Sequence, residues 1–268
     1  MLILWMSPTA NSLYFRQMIS IVILGTGNVA QNLFEALLRN AEINMVQVVG
    51  RTHDSLYYFM ERTKISTDYN HLPEADIYII AVKDDAIKEV SDRINVSGLV
   101  VHTSGSVPMN TLQRHERRGV FYPLQTFTAG KTIDFENIPL CLEANEEKNL
   151  QLLKSLGNKI SSNVQEIDSE KRKILHVAAV FVNNFTNYMY TIGEAICEEH
   201  QLDFSILQPL ITETALKIEH LSPLEAQTGP AKRNDLETLH AHLQLLKNEK
   251  QRAIYKLLSN AIKAENEI

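Results

Sequence analysis

Hydrophobic positions along the chain recur with two periods, and the pattern changes once. Up to about Ile167, short apolar runs alternate with stretches at helical spacing; beyond it only helical spacing remains. The runs Ile19–Leu24, Met45–Val49, Ala75–Val82, Leu99–Thr103, Val120–Tyr122, Leu140–Leu142 and Lys159–Glu166 predict strands. Between them Asn28–Leu38, Ser55–Thr63, Ile87–Ile94 and Glu146–Leu156 predict helices. Asp84 and Asp85 are N-cap candidates, and Pro108 suits the first turn of a short helix to Leu112. Strands alternating with helices imply an α/β fold with a doubly wound parallel sheet. The later periods, Ser169–His200, Phe204–Leu221, Asp235–Asn248 and Glu249–Asn266, imply an all-helical C-terminal domain. The expected division is 18–166 and 167–268.

The longest helical period is unusual in its charge. Ile174, Val177, Ala178, Phe181, Phe185, Tyr188, Met189, Ile192 and Ile196 form one apolar stripe, with His176, Asn183 and Asn187 opposite. No Asp, Glu, Lys or Arg lies between Lys173 and Glu194. The asparagines, threonines, His176 and Gly193 argue against a membrane span. The expectation is a helix buried on most sides, with its uncharged polar groups facing a cleft or a partner. A homodimer formed through the helical domain follows from the same surplus of apolar surface.

Gly25-Thr26-Gly27-Asn28-Val29-Ala30 stands between the first strand and the first helix. Gly25 can take the tight turn, Gly27 leaves room for a pyrophosphate, and small Ala30 lets the helix pack on the sheet. The helix N-terminus then offers free N–H groups to the anion. The next strand ends in Gly50-Arg51-Thr52. An acidic residue there would read the ribose hydroxyls of NAD(H); Arg51 offers instead a planar cation suited to a phosphate, with donors on Thr52, His53 and Ser55. This favours NADP(H).

Composition narrows the partners. A net charge of −6 gives no positive field for nucleic acid or an anionic membrane. Cys141 and Cys197 read as reduced core residues of a cytoplasmic protein, and no Cys/His group has metal-ligand spacing. Residues 1–17 read as an extension without a role in the fold, with Met18 a natural start.

Several segments can reach the nicotinamide end. Ala81-Val82-Lys83-Asp84-Asp85 and His102-Thr103-Ser104-Gly105-Ser106 both follow strands, where open α/β sheets bind ligands. Thr103 and Ser104 could hold a substrate carboxylate or the ring carboxamide, although a plain Ser/Gly turn accounts for them equally well. Tyr122-Pro123-Leu124-Gln125-Thr126-Phe127 leaves a polar pair beside aromatics. In the helical domain, Arg233 lies beside a helix that Asp235 can cap, and His240, five residues on, is expected roughly on the same side. An arginine for an anion and a histidine for a proton suit the reduction of a carbonyl or imine.

Ile21–Ala30, Gly50-Arg51-Thr52, Ala75–Asp85, His102–Ser106 and Gln227–Asp235 together resemble a family of NADP-binding oxidoreductase-like proteins. That family joins a Rossmann domain to a helical domain like that of 6-phosphogluconate dehydrogenase, and is related to pyrroline-5-carboxylate reductase and deazaflavin-dependent NADP oxidoreductases. The chain departs from it at Tyr122-Pro123, where His-Pro is expected. The reading is an NADP(H)-dependent oxidoreductase acting on a small polar carbonyl, imine or alcohol at the domain interface. Arg233 would bind substrate anion, His176 or His240 would donate the proton, and Asn183 or Asn184 would orient the acceptor, with Asp235 in the same group. A non-catalytic NADP(H)-binding sensor or scaffold is the alternative. A methyltransferase is disfavoured by Arg51, which stands where an acid is wanted.

Overall fold

The computed structural model describes residues 18–266, so the expectation for residues 1–17 lies outside the described residues. The chain divides into two compact units, the first running to Val180 and the second starting at Phe181.

The first unit holds an eight-stranded sheet. In chain order the strands are β1 (Ile19–Leu24), β2 (Ile43–Val49), β3 (Lys64–Ser66), β4 (Ile77–Ile80), β5 (Leu99–His102), β6 (Arg118–Pro123), β7 (Leu140–Ala144) and β8 (Val164–Glu166). They lie in the order β3-β2-β1-β4-β5-β6-β7-β8. All neighbours are parallel except β6 and β7, where Phe121 faces Leu142 in an antiparallel pair. The expected parallel sheet therefore acquires one reversed junction. A chain returning directly from β6 into β7 must reverse, because no helix intervenes to carry a parallel crossover.

Alternation along β1 explains how both faces are covered. Ile19, Ile21 and Ile23 pack on one side with Leu33, Phe34 and Leu37 of α1 (Asn28–Leu38). Val22 and Leu24 pack on the other with Ile87 and Val90 of α3 (Ile87–Arg93). β4 and β5 are buried at every position, as strands covered on both faces must be. Each buried Leu, Ile or Phe contributes about 1.5–3 kcal/mol.

Two local expectations are corrected. The helix expected over Ser55–Thr63 is reduced to α2 (His53–Leu56), and turns follow it in which Phe59 and Arg62 donate back three residues to Leu56 and Phe59. Asp84 and Asp85 do not cap α3 but begin a 3₁₀ turn, Asp84–Ala86.

No strand follows β8 among the described residues. α4 (Glu147–Gly157) precedes β8, and α5 (Ser169–Ala179) closes the first unit. A π-helical segment, Val180–Phe185, spans the division, and the second unit continues as α6 (Thr186–Glu199), α7 (Gln208–Leu216), α8 (Pro223–Ala226), α9 (Leu236–Leu245) and α10 (Glu249–Asn266). Within the single chain Ile174, Val177, Phe181, Phe185 and Tyr188 of the long apolar stripe are exposed. Among the described residues no helix is long and apolar enough to cross a membrane.

Candidate functional site

The glycine turn leaves β1 beside the ends of β2 and β4. The Gly25 N–H donates to the Val49 carbonyl and the Ala81 N–H to the Leu24 carbonyl, both at 2.8 Å. Gly25 has φ +130°, and a Cβ there would collide with the Ala81 carbonyl, so only glycine passes this point unstrained. Gly27 is the extended N-cap residue of α1. The first turn of α1, from Asn28 through Val29 and Ala30, has no side-chain cap and no acidic residue. Space is open beside it, since a Cβ on Gly27 would meet nothing within 4 Å. Free N–H groups at an open helix N-terminus are a cradle for an anion such as a pyrophosphate. The Asn28 amide itself donates to the Phe127 carbonyl (3.0 Å), and Gln31 donates to the Thr26 carbonyl (3.2 Å). The Asn28 side chain is therefore engaged within the protein.

Arg51 and Thr52 follow β2, and both are exposed. The Thr52 hydroxyl accepts from the Ser55 N–H at 3.3 Å, capping α2. Arg51 has no ion-pair partner among the described residues, which leaves its guanidinium available to a phosphate.

At the end of β5, Thr103 and Ser104 are buried. The Ser104 hydroxyl accepts from the N–H groups of Ser106 (3.1 Å) and Val107 (3.0 Å), so it shapes the turn. Ser106 donates to the Asp84 carboxylate at 2.5 Å, which ties the β5 loop to the 3₁₀ turn after β4. The role of Asp84 is this tie rather than a cap.

Gly105 carries the unexpected feature. A Cβ on it would lie 2.6 Å from Nδ1 of His176 and 2.9 Å from the phenol oxygen of Tyr122. Those two atoms are themselves 3.1 Å apart. Tyr122, on β6, is nearly buried, and the loss of water pushes its phenol up to about 12. The departure at Tyr122-Pro123 thus places a phenol against His176. Sequence reading missed this pair because its members stand 54 residues apart.

Arg172 was also missed, one turn before His176 on α5. It is wholly buried, bonds Glu143 at 2.5 Å, and donates to the Val107 carbonyl (2.7 Å) and Ser169 (3.2 Å). A charged residue on a helix reads as solvated, so only the fold reveals it.

In the second unit, Asn183 and Asn184 are exposed within the π-helical segment, a geometry found frequently at functional sites. Asp235 caps α9, accepting from the Thr238 N–H at 3.1 Å and hydroxyl at 2.7 Å, and these bonds hold its carboxyl below the usual range. Arg233 and His240 are exposed. Five helical residues turn the chain by about 500°, so His240 stands about 140° from Asp235 rather than on its side. Among the described residues no group of three or more His, Cys, Asp or Glu could hold a metal ion.

A glycine turn at the junction of β1 with β2 and β4, opening an uncapped helix, defines a Rossmann-type dinucleotide-binding protein. Comparison with known proteins refines this. Residues 20–103 match the family model "NADP oxidoreductase coenzyme F420-dependent", and residues 138–262 match a domain of unknown function, DUF2520. A protein of Bacteroides fragilis assigned as an NADP oxidoreductase is 38% identical, with a TM-score of 0.84, over 93% of this chain and 99% of that one. A reductive aminase from Aspergillus terreus in complex with NADPH and ethyl levulinate shares the fold at TM-score 0.67 and 12% identity, over 93% and 95%. So does a 1-pyrroline-5-carboxylate reductase from Streptococcus pyogenes, at 0.61 and 13%, over 92% and 99%. No curated protein matches significantly. The chain belongs to the NADP oxidoreductase family represented by the Bacteroides protein, and its cofactor is NADP(H). The open cradle at Gly27 and the free cation of Arg51 fit that cofactor.

Proposed function

We propose that the protein is an NADPH-dependent reductase of a small polar carbonyl or imine, and that with NADP+ it oxidises the corresponding alcohol or amine in the reverse direction. The observation that carries this reading is the meeting of Gly105, Tyr122 and His176 at the carboxyl ends of β5 and β6, which run parallel to β1 and end on the same side of the sheet as the glycine turn. NADP(H), when bound, supplies the hydride. Gly25 to Ala30 hold the pyrophosphate, Arg51 and Thr52 the ribose phosphate, and Ala81, Val82, Thr103 and Ser104 flank the ring. His176 donates the proton, in preference to exposed His240, because it alone of the two has a buried partner. Arg233 binds substrate anion, and Asn183 or Asn184 orients the acceptor. The fold shared with a reductive aminase and a pyrroline-5-carboxylate reductase supports carbon–nitrogen double bonds as the first substrates to try. The working form is a homodimer joined through the second unit.

Titration with NADPH and NADH tests the cofactor assignment. Charge-assisted bonds to the extra phosphate are worth about 1.5–3 kcal/mol, so NADPH should bind about ten- to a hundredfold tighter, and Arg51→Ala should lose that preference. Equal affinities in the wild type would overturn the role of Arg51. NADPH oxidation across a broad carbonyl and imine panel tests the reaction itself. Turnover that His176→Gln abolishes, with NADPH affinity retained, is expected; a protein that binds NADPH yet oxidises none of it would be a sensor.

A further inference from the structure

We infer that Tyr122 is a positioning residue that fixes His176 with Nδ1 as a hydrogen-bond acceptor, so that its free edge presents an N–H to the substrate. The inference rests on the reading of His176 as proton donor and adds how its ring is set. As Nε2 gives its proton to the reduced substrate, Nδ1 takes the phenol proton and water then restores the phenol, so no imidazolate is left. The distance alone, 3.1 Å, allows either atom to donate. The surroundings decide between them. At neutral pH the phenol is protonated, since burial pushes it up to about 12. Among the described residues the hydroxyl has no acceptor other than Nδ1. If Nδ1 carried the proton and donated to the phenol oxygen, the phenol O–H would be left unpaired in a desolvated setting, which costs more than a hydrogen bond contributes. The phenol therefore donates, Nδ1 accepts, and the proton of the neutral ring lies on Nε2.

The geometry holds this arrangement in two ways. The rings meet edge to face with centroids 6.1 Å apart, so Tyr122 limits rotation of the imidazole as well as its protonation. Gly105 lies beneath both, and any side chain there would occupy the space between Nδ1 and the phenol oxygen. The same loop follows Thr103 and Ser104, which ties the setting of the histidine to the wall of the proposed ring site. A histidine at position 122 would bring a second titrating ring; a phenol gives a donor that stays protonated throughout the physiological range.

Nitrogen NMR of the full chain with ¹⁵N-labelled histidine tests the inference without any substrate. His176→Gln identifies the His176 signals among the nine histidines. At a pH where the ring is neutral, wild-type protein should show a protonated Nε2 and an Nδ1 displaced in the direction of an accepted hydrogen bond. Tyr122→Phe, which keeps the ring and removes the hydroxyl, should lose that displacement and retain NADPH affinity. Gly105→Ala should lose it by wedging the pair apart with both groups intact, and serves if Tyr122→Phe does not fold. A protonated Nδ1 in the wild type, or an Nδ1 signal indifferent to loss of the hydroxyl, overturns the inference. With any substrate that turns over, Tyr122→Phe should lower kcat about tenfold with KM for NADPH unchanged, and an unchanged kcat overturns it too. If the NMR result holds but no substrate is ever found, the reductase reading fails and the setting of the ring stands.

Discussion

His102 ends β5 with its imidazole wholly buried. Burial, with the nearby Arg172 cation adding to it, lowers its pKa from 6.5 to about 4; a backbone contact with Pro108 pulls weakly the other way. The folded protein thus keeps the ring neutral in a range where the unfolded chain binds a proton. Stability from this residue is intact above pH 6.5, declines as pH falls from 6.5, and is fully lost below about 4. At about 1.4 kcal/mol per pH unit the total is about 3 kcal/mol. Urea denaturation near neutrality and near pH 4 should show a loss in wild type that His102→Asn reduces by about that amount. Asparagine can still accept from the Ser104 N–H, which in the wild type bonds Nδ1 at 3.2 Å. Equal pH dependence in the two proteins would show that His102 titrates freely.

α5 is held to the sheet by the buried Arg172 and by Leu175, which packs on Val120, Tyr122 and Cys141, rather than by its apolar stripe. Ile174 and Val177 are exposed, whereas Arg172 is sealed against Glu143, Ser169 and the Val107 carbonyl. Arg172→Ala leaves the Glu143 carboxylate without its cation and should cost about 3–5 kcal/mol, seen as a lower Tm for the first unit. Replacing both partners with apolar residues of similar volume should recover most of the loss. If Arg172→Ala melts like the wild type, the pair is not what docks α5. The same element shows where sequence reading stops. β1, α1 and α10 were legible to the residue, because period, caps and glycines act locally. β3 was not, since three residues with one buried-type side chain form a strand only because β2 offers an open edge. The expected helix from Ser169 to His200 is interrupted by the π-helical segment, and one apolar stripe looks the same in sequence with or without it. The glycine cradle is consecutive sequence and was visible; the Tyr122–His176 contact is a product of β6 and α5 meeting, which no spacing encodes.

The second unit, taken by itself, lacks the interior that a helical domain of its length needs. Among the described residues its buried hydrophobic side chains are Cys197, Ala226, Ala231 and Leu239, three of them small. Phe181 (63% exposed), Val182 (76%), Ile206 (70%), Leu210 (63%) and Leu257 (70%) face water instead. Scattered exposed leucines are ordinary, but this many large apolar groups with so little core are not. Each would contribute about 1.5–3 kcal/mol if covered, and obligate interfaces of about 2,000 Å² or more are built from such charge-poor surface. A second copy of the chain is the expected cover, because the charge-free segment from Phe181 to Gly193 matches the depletion of charge at the centre of a dimer. Light scattering at micromolar concentration should give about twice the chain mass of 30.4 kDa. Phe181→Glu and Leu210→Glu each place a charge on that surface and should shift the protein to monomer, with a lower Tm for the second unit or loss of solubility. NADPH affinity of any soluble monomer should persist, since the cradle and Arg51 belong to the first unit. A wild type that runs as a monomer with a high Tm would refute the dimer.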